Sequence, residues 1–124
     1  MTCQSSQFIQ PRVLVVDSDP GVLKMLSLAL QRESVSVETA ASESAALALC
    51  HCQDFQALLF GLGEERVAPL LAEFGESRPA PRILVMANEL HPRPCAYPVL
   101  SKPFGLAELR RKLGEIIRVA ALAG

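Results

Sequence analysis

No run of like charge long enough to follow a phosphate backbone or an anionic membrane occurs in these 124 residues, and 12 basic side chains against 13 acidic ones leave a net charge of -1. Direct nucleic-acid binding is not expected. Long apolar stretches are missing as well: each is short and broken by charge or proline, so no segment is suited to span a bilayer. Residues Met1 to Pro11 have neither a basic start nor an apolar h-region, which argues against export. Cysteine is sparse. Cys3, Cys50, Cys52 and Cys95 could form two disulfides, but the chain lacks the cysteine density and loop-rich character of small secreted scaffolds, so reduced thiols in a cytoplasm are expected. Apolar residues, by contrast, make up half the chain and charged ones only 20%, far from the mixture that stays disordered. A chain of this length is one domain that buries roughly two-thirds of its unfolded surface.

The order of the pieces is regular. Residues 1–11 are polar and aperiodic, a flexible tail ending at Pro11. Val13-Leu14-Val15-Val16 is a continuous β-branched and aliphatic run, the pattern of a strand covered on both faces. It stops at Asp17-Ser18-Asp19-Pro20-Gly21, where Asp19 before Pro20 is an N-cap followed by a first-turn proline. Val22, Leu23, Leu26 and Leu30 then recur at helical spacing. The unit repeats: Val35, Val37 and Thr39 alternate like an edge strand, and Ser42 caps a helix reaching Cys52. Gln56 to Leu62 reads as a buried strand and Glu64 to Gly75 as a helix despite Pro69. Ile83 to Ala87 is a further buried strand, Val99-Leu100 a short one, and Leu106 to Ala121 an amphipathic helix. No linker or second domain is visible.

Strands alternating with helices predict a parallel sheet with right-handed crossovers and helices on both faces. Five strands suit a flavodoxin-like doubly wound α/β fold in the order 2-1-3-4-5. Ligands in such sheets bind at the carboxyl ends of the strands, which draws attention to Asp17 to Asp19, Gly61, Ala87 and Lys102. The crossover from Ala87 to Pro98 has only ten residues, among them Pro92 and Pro94, so the fourth helix is expected to be short or absent. Two motif-like segments have plainer readings. In Cys50-His51-Cys52 successive helical residues point in different directions and no second ligand pair stands nearby, so no metal site is expected. Gly61-Leu62-Gly63-Glu64 imitates a dinucleotide fingerprint, but Arg66 occupies the third glycine position, and a tight strand-to-helix turn explains the glycines. His91, among prolines, is expected to be exposed.

Four segments, VLVVDSDP (13–20), DFQALLFGL (54–62), ILVMANE (83–89) and VLSKPFGLAEL (99–109), together resemble the receiver domain of two-component response regulators. The last is the most specific, with a lysine, a proline and an aromatic after the final strand leading into an amphipathic helix. The resemblance implies that residues 12–124 form one receiver-like domain. In that family two adjacent acids hold magnesium, and an aspartate ending strand three accepts phosphate. A hydroxyl ending strand four and a lysine after strand five then contact the phosphoryl group. Here Asp17 matches the first acid and Ser18 the second, an uncharged and much weaker magnesium ligand that Asp19 replaces at most in part. The acceptor falls on Gly61, or on Phe60 if the register slips by one, the hydroxyl on Ala87, and the aromatic that usually rotates on activation on Val99. Asp17, Lys102 and Pro103 are retained, with Asp17 and Lys102 expected to form a buried ion pair. The resemblance also implies a cis Lys102-Pro103 bond.

The expectation is a pseudo-receiver: a non-enzymatic module for two-component or related signalling that binds a protein partner independently of phosphorylation. No cofactor is expected beyond weak residual magnesium. The partner face is placed on the residual fourth crossover, the fifth strand and the last helix, with Leu90, Tyr97, Val99, Leu100, Arg110 and Arg111, and a homodimer is one use of that face. Two rivals stand beside it: a receiver phosphorylated at a shifted acid, Asp54 or Glu64, and a small-molecule sensor lined by Phe60, Gly61 and Ala87.

Overall fold

Val13, Leu14, Val15 and Val16 are all fully buried, which a strand achieves only when both of its faces are covered. The computed structural model, which describes residues 11–74, 81–88, 97–102 and 104–123, shows how that happens. The chain runs β1 (Arg12–Val16), α1 (Pro20–Gln31), β2 (Ser36–Ala40), α2 (Glu43–Cys52), β3 (Ala57–Phe60), α3 (Val67–Phe74), β4 (Arg82–Asn88), β5 (Val99–Lys102) and α4 (Leu106–Ala123). All neighbouring strands pair in parallel, in the order β2-β1-β3-β4-β5, as the alternation predicts. The flavodoxin-like doubly wound sheet is therefore observed.

Period-two alternation sends successive side chains of the central strands into two cores. Val13, Val15, Leu59, Leu84, Met86 and Leu100 pack beneath Leu26 and Leu30 of α1 and Leu109, Leu113 and Ile116 of α4. Leu14, Val16, Leu58, Phe60, Ile83 and Val85 pack on the opposite face against α2 and α3. Burying each such side chain contributes about 1.5 to 3 kcal/mol, so both layers are needed to hold the sheet.

Local chemistry sets the element ends. Asp19 is the N-cap of α1, its carboxylate accepting from Gly21 N–H at 2.9 Å, with Pro20 opening the helix. The Ser42 hydroxyl accepts from Ala45 N–H at 3.2 Å and caps α2. A 3-10 turn, Glu64–Arg66, precedes α3, so the helix expected from residue 64 begins three residues late; Pro69 then falls in its first turn, where a missing N–H leaves no gap. Across this turn Arg66 pairs with Glu43 at the start of α2, its Nη2 lying 2.8 Å from Oε1. The hydrogen bond from Arg66 holds the Glu43 carboxyl below its ordinary range and the same contact raises the guanidinium. Whatever stability the pair adds is thus present above the ordinary carboxylate pKa and lost as pH falls through the lowered value.

Ser34, in the turn between α1 and β2, has φ of 62°, a left-handed conformation in which a Cβ is crowded. Ser34→Gly is expected to raise stability by about 0.5 kcal/mol in urea denaturation, the relieved crowding outweighing the added freedom of the unfolded chain. Of the tail expected over residues 1–11, residues 1–10 lie outside the described residues, as do Leu90 and His91 of the fourth crossover and Pro103 with its expected cis bond, while Pro11 O accepts from Ser36 N–H at 2.8 Å.

Candidate functional site

Asp17 is the first residue past β1. Its N–H donates to Ala40 O at 3.1 Å, while on the other side Gly61 N–H donates to Val16 O at 2.7 Å. The β1–β3 register sets Val16 beside Phe60, so Asp17 and Gly61 leave the sheet side by side. Lys102 ends β5 at the same edge. Asp17, Gly61 and Lys102 each stand two residues beyond a member of the α1–α4 core, namely Val15, Leu59 and Leu100, so alternation aims all three positions to one face.

What they form there is closed. Lys102 Nζ donates to Asp17 Oδ2 at 2.7 Å, and Asp19 N–H donates to Asp17 Oδ1 at 2.9 Å. Asp17 is only 2% exposed, the one buried charged residue among those described, while the Lys102 side chain retains 26% exposure. A buried carboxylate needs such partners, since an uncompensated charge is costly to remove from water. The carboxylate also lies in the space that a side chain at position 61 would take: a Cβ built on Gly61 would overlap Asp17 Oδ2 and stand 3.0 Å from its Cγ and 3.2 Å from Met86 Cε.

Gly61 and Gly63 therefore differ in role, although one turn was expected to explain both. Gly63, at φ +113°, supplies the strand-to-helix turn; Gly61 has no positive φ and is glycine for room. Met86, which closes that room, was missed by the sequence reading because an apolar strand residue carries no mark of its neighbour. The signal for the close approach was glycine at the end of a buried strand.

The remaining positions do not converge on the pocket. Ser18 is exposed, and Asp19 is exposed with its carboxylate engaged as the helix cap. Magnesium at Asp17 would have to compete with the Lys102 ammonium on one oxygen and a backbone N–H on the other, with no second acid converging. Among the described residues no cluster of three or more His, Cys, Asp or Glu is disposed to hold a metal. Asp19→Ala should cost about 1 kcal/mol through the lost cap, with no change in any response to magnesium; a magnesium response that vanished with it would make Asp19 a ligand.

Several expectations need correction. Ala87 packs with Tyr97 and Val99 on the α2–α3 face, and Phe60 is fully buried there, so the imagined sensor lining of Phe60, Gly61 and Ala87 is split between opposite faces of the sheet. Asp54 precedes β3 and thus sits at the opposite end of the sheet from Asp17, which removes it as a shifted acceptor at this pocket. Leu100 is fully buried beneath α4 and offers nothing to a partner. Arg110 pairs with Glu33 beyond the end of α1 at 3.0 Å, and Arg111 with Glu115 one turn along α4 at 3.4 Å. Both guanidinium groups remain exposed, and Tyr97 packs against the core on the other sheet face. Cys50 is buried while His51 and Cys52 are exposed, so that triplet does not converge either.

No family model matches this chain, and no curated protein matches its sequence. Solved structures do match. Chemotaxis protein CheY4 of Vibrio cholerae superposes with a TM-score of 0.73 at 24% identity, over 86% of this chain and 98% of that one. A CheY-like receiver domain protein of Methanospirillum hungatei gives 0.74 at 23% identity, over 93% and 99%. A response regulator of Thermotoga maritima gives 0.74 at 21%, over 89% and 99%. This chain has the receiver fold. Identities at this level carry the architecture, and the receiver fold accounts for the strand order and for the shared edge at which Asp17, Gly61 and Lys102 meet. No helix among the described residues is long and apolar enough to cross a membrane.

Proposed function

We propose that this chain is a receiver-type signalling module that takes no phosphoryl group, is not an enzyme, and acts through contact with a protein partner. One observation carries the reading: the place for an acceptor side chain at the end of β3 holds Gly61 and is filled by the Asp17 carboxylate, itself neutralised by Lys102. Phosphoryl transfer to a carboxylate needs an accessible nucleophile, a divalent cation against the developing charge, and fixed donors for the equatorial oxygens. Here the Asp17 carboxylate is buried, one of its oxygens is taken by the Lys102 ammonium, and Ser18 brings no charge. Cytoplasmic two-component or related signalling is the setting that the fold suggests, and regulation through a binding surface is the function left to a receiver without its chemistry.

The test is direct. The intact chain is incubated with magnesium and a small acyl-phosphate donor and read by intact mass, and its amides are followed by NMR with magnesium and beryllium trifluoride. No adduct and no saturable shifts near Asp17, Gly61 and Lys102 are expected. A phosphate adduct on any residue, or shifts spreading from the pocket to β5, overturns the reading.

A further inference from the structure

We propose that the Asp17–Lys102 pair is a permanent latch on β5, fixing that edge strand to the end of β1 without any bound ligand. This rests on the phosphate-free reading above and adds how the pocket regulates the surface beside it. The strand has four residues, and among the described residues it pairs with β4 alone and its second edge carries no strand. Only Leu100 enters the core in full; Val99, Ser101 and Lys102 are half-buried. So short an edge has few contacts to resist local opening, and elements of that kind open well below the global unfolding free energy.

Lys102 supplies what the ladder does not. From the last residue of β5 its ammonium reaches past the ends of β4 and β3 to the end of β1, 85 residues earlier in the chain. The anchor at the far end is fixed: β1 is buried along Val13 to Val16, and the Asp17 carboxylate is held by Asp19 N–H and seated in the Gly61 space. The glycine is therefore part of the device. A side chain there would displace the carboxylate from the line between β1 and β5, and Lys102 would lose its partner. Val99, on the other face of the same strand, and Tyr97, two residues before it, take their position from it. The latch thus presets that face without any bound ligand.

Amide hydrogen exchange by NMR tests this. In Asp17→Asn, which keeps an oxygen for Asp19 N–H but removes the charge, protection at Leu100 and Lys102, whose N–H groups face β4, is expected to fall at least tenfold more than at Leu14, Val15, Leu58 and Leu59. Asp17→Asn combined with Lys102→Met should show the same localisation. Leu30→Ala, a core truncation in α1 far from the pocket, should lower protection in β5 no more than in β1 and β3. Uniform loss in the Asp17 variants, matching Leu30→Ala, would mean that the pair adds only global stability and would overturn the latch. If the double variant does not fold, the single one decides. An acyl-phosphate adduct on the unaltered chain is a separate failure: it sinks the phosphate-free reading and the permanence of the latch, whereas uniform exchange sinks the latch and leaves that reading standing.

Discussion

Gly61→Asp, which would place a carboxylate at the end of β3, is expected to destabilise the chain by about 3 kcal/mol at neutral pH. Its first new atom already overlaps Asp17 Oδ2, with Met86 Cε closing the other side at 3.2 Å. Two carboxylates would then share one ammonium in a pocket where the native one is 2% exposed. Like charges so close raise one folded-state carboxyl pKa above its unfolded value. The sign follows: the folded state of the variant binds more protons than the unfolded one, so its deficit grows as pH rises through the ordinary carboxylate range and shrinks below it. Urea denaturation at neutral pH and near pH 4, with and without magnesium, measures this. The divalent cation should rescue the variant and leave the parent unchanged, because only the variant presents two acids to it. Gly61→Ala separates bulk from charge: it should cost about 2 kcal/mol with no pH dependence of its own. Native stability in both variants would show that Asp17 has somewhere else to go, and the closed pocket would have to be abandoned.

Lys102→Met should be nearly as damaging, at about 2 to 4 kcal/mol and a fall in Tm on the order of 10 °C. The methionine keeps most of the aliphatic stem, so packing changes little; what is lost is the cation 2.7 Å from Asp17 Oδ2. The carboxylate would remain buried with one backbone N–H, and removing one member of a buried pair typically costs about 3 to 5 kcal/mol. The 26% exposure of the lysine side chain lowers the expectation, because water can enter where the ammonium stood. Asp17→Asn leaves a lysine that can swing to solvent and should cost less, about 1 to 2 kcal/mol. Combining the two should cost less than their sum, and that coupling in a double-mutant cycle measures the pair itself. Additive losses would mean that the two side chains stabilise the fold independently.

Much of this fold could be read before any coordinates. The unbroken run Val13 to Val16 announced a strand covered on both faces, and Asp19-Pro20 and Ser42 marked helix starts that the structure bears out as caps. Alternation of strand and helix was enough for the strand order. Element limits were less legible because composition records burial, and burial continues past the end of a ladder. Leu62 looked like strand, and Glu64 like helix, though β3 ends at Phe60 and α3 begins at Val67.

The site was half legible. Aligning the ends of β1, β3 and β5 brought out Asp17, Gly61 and Lys102, but what fills the room at Gly61 depends on side-chain positions that no spacing records. The surroundings of the side chains expected on the partner face were hidden for the same reason. Leu100 and Tyr97 are near in sequence yet sit on opposite sides of the sheet, and Arg110 finds Glu33, 77 positions earlier, rather than its neighbours in β5.

The span of the Asp17–Lys102 contact also orders events during synthesis. Everything up to β4 precedes Lys102 in the chain, so β1 can be enclosed by β2 and β3 while the ammonium that neutralises Asp17 has yet to emerge. Until it arrives, closing the pocket strands a carboxylate in a poorly solvated place, so partial chains are held back from completing this edge of the sheet. The strand β5 brings both its ladder with β4 and the missing charge, so this edge of the sheet closes only after Lys102 has joined it.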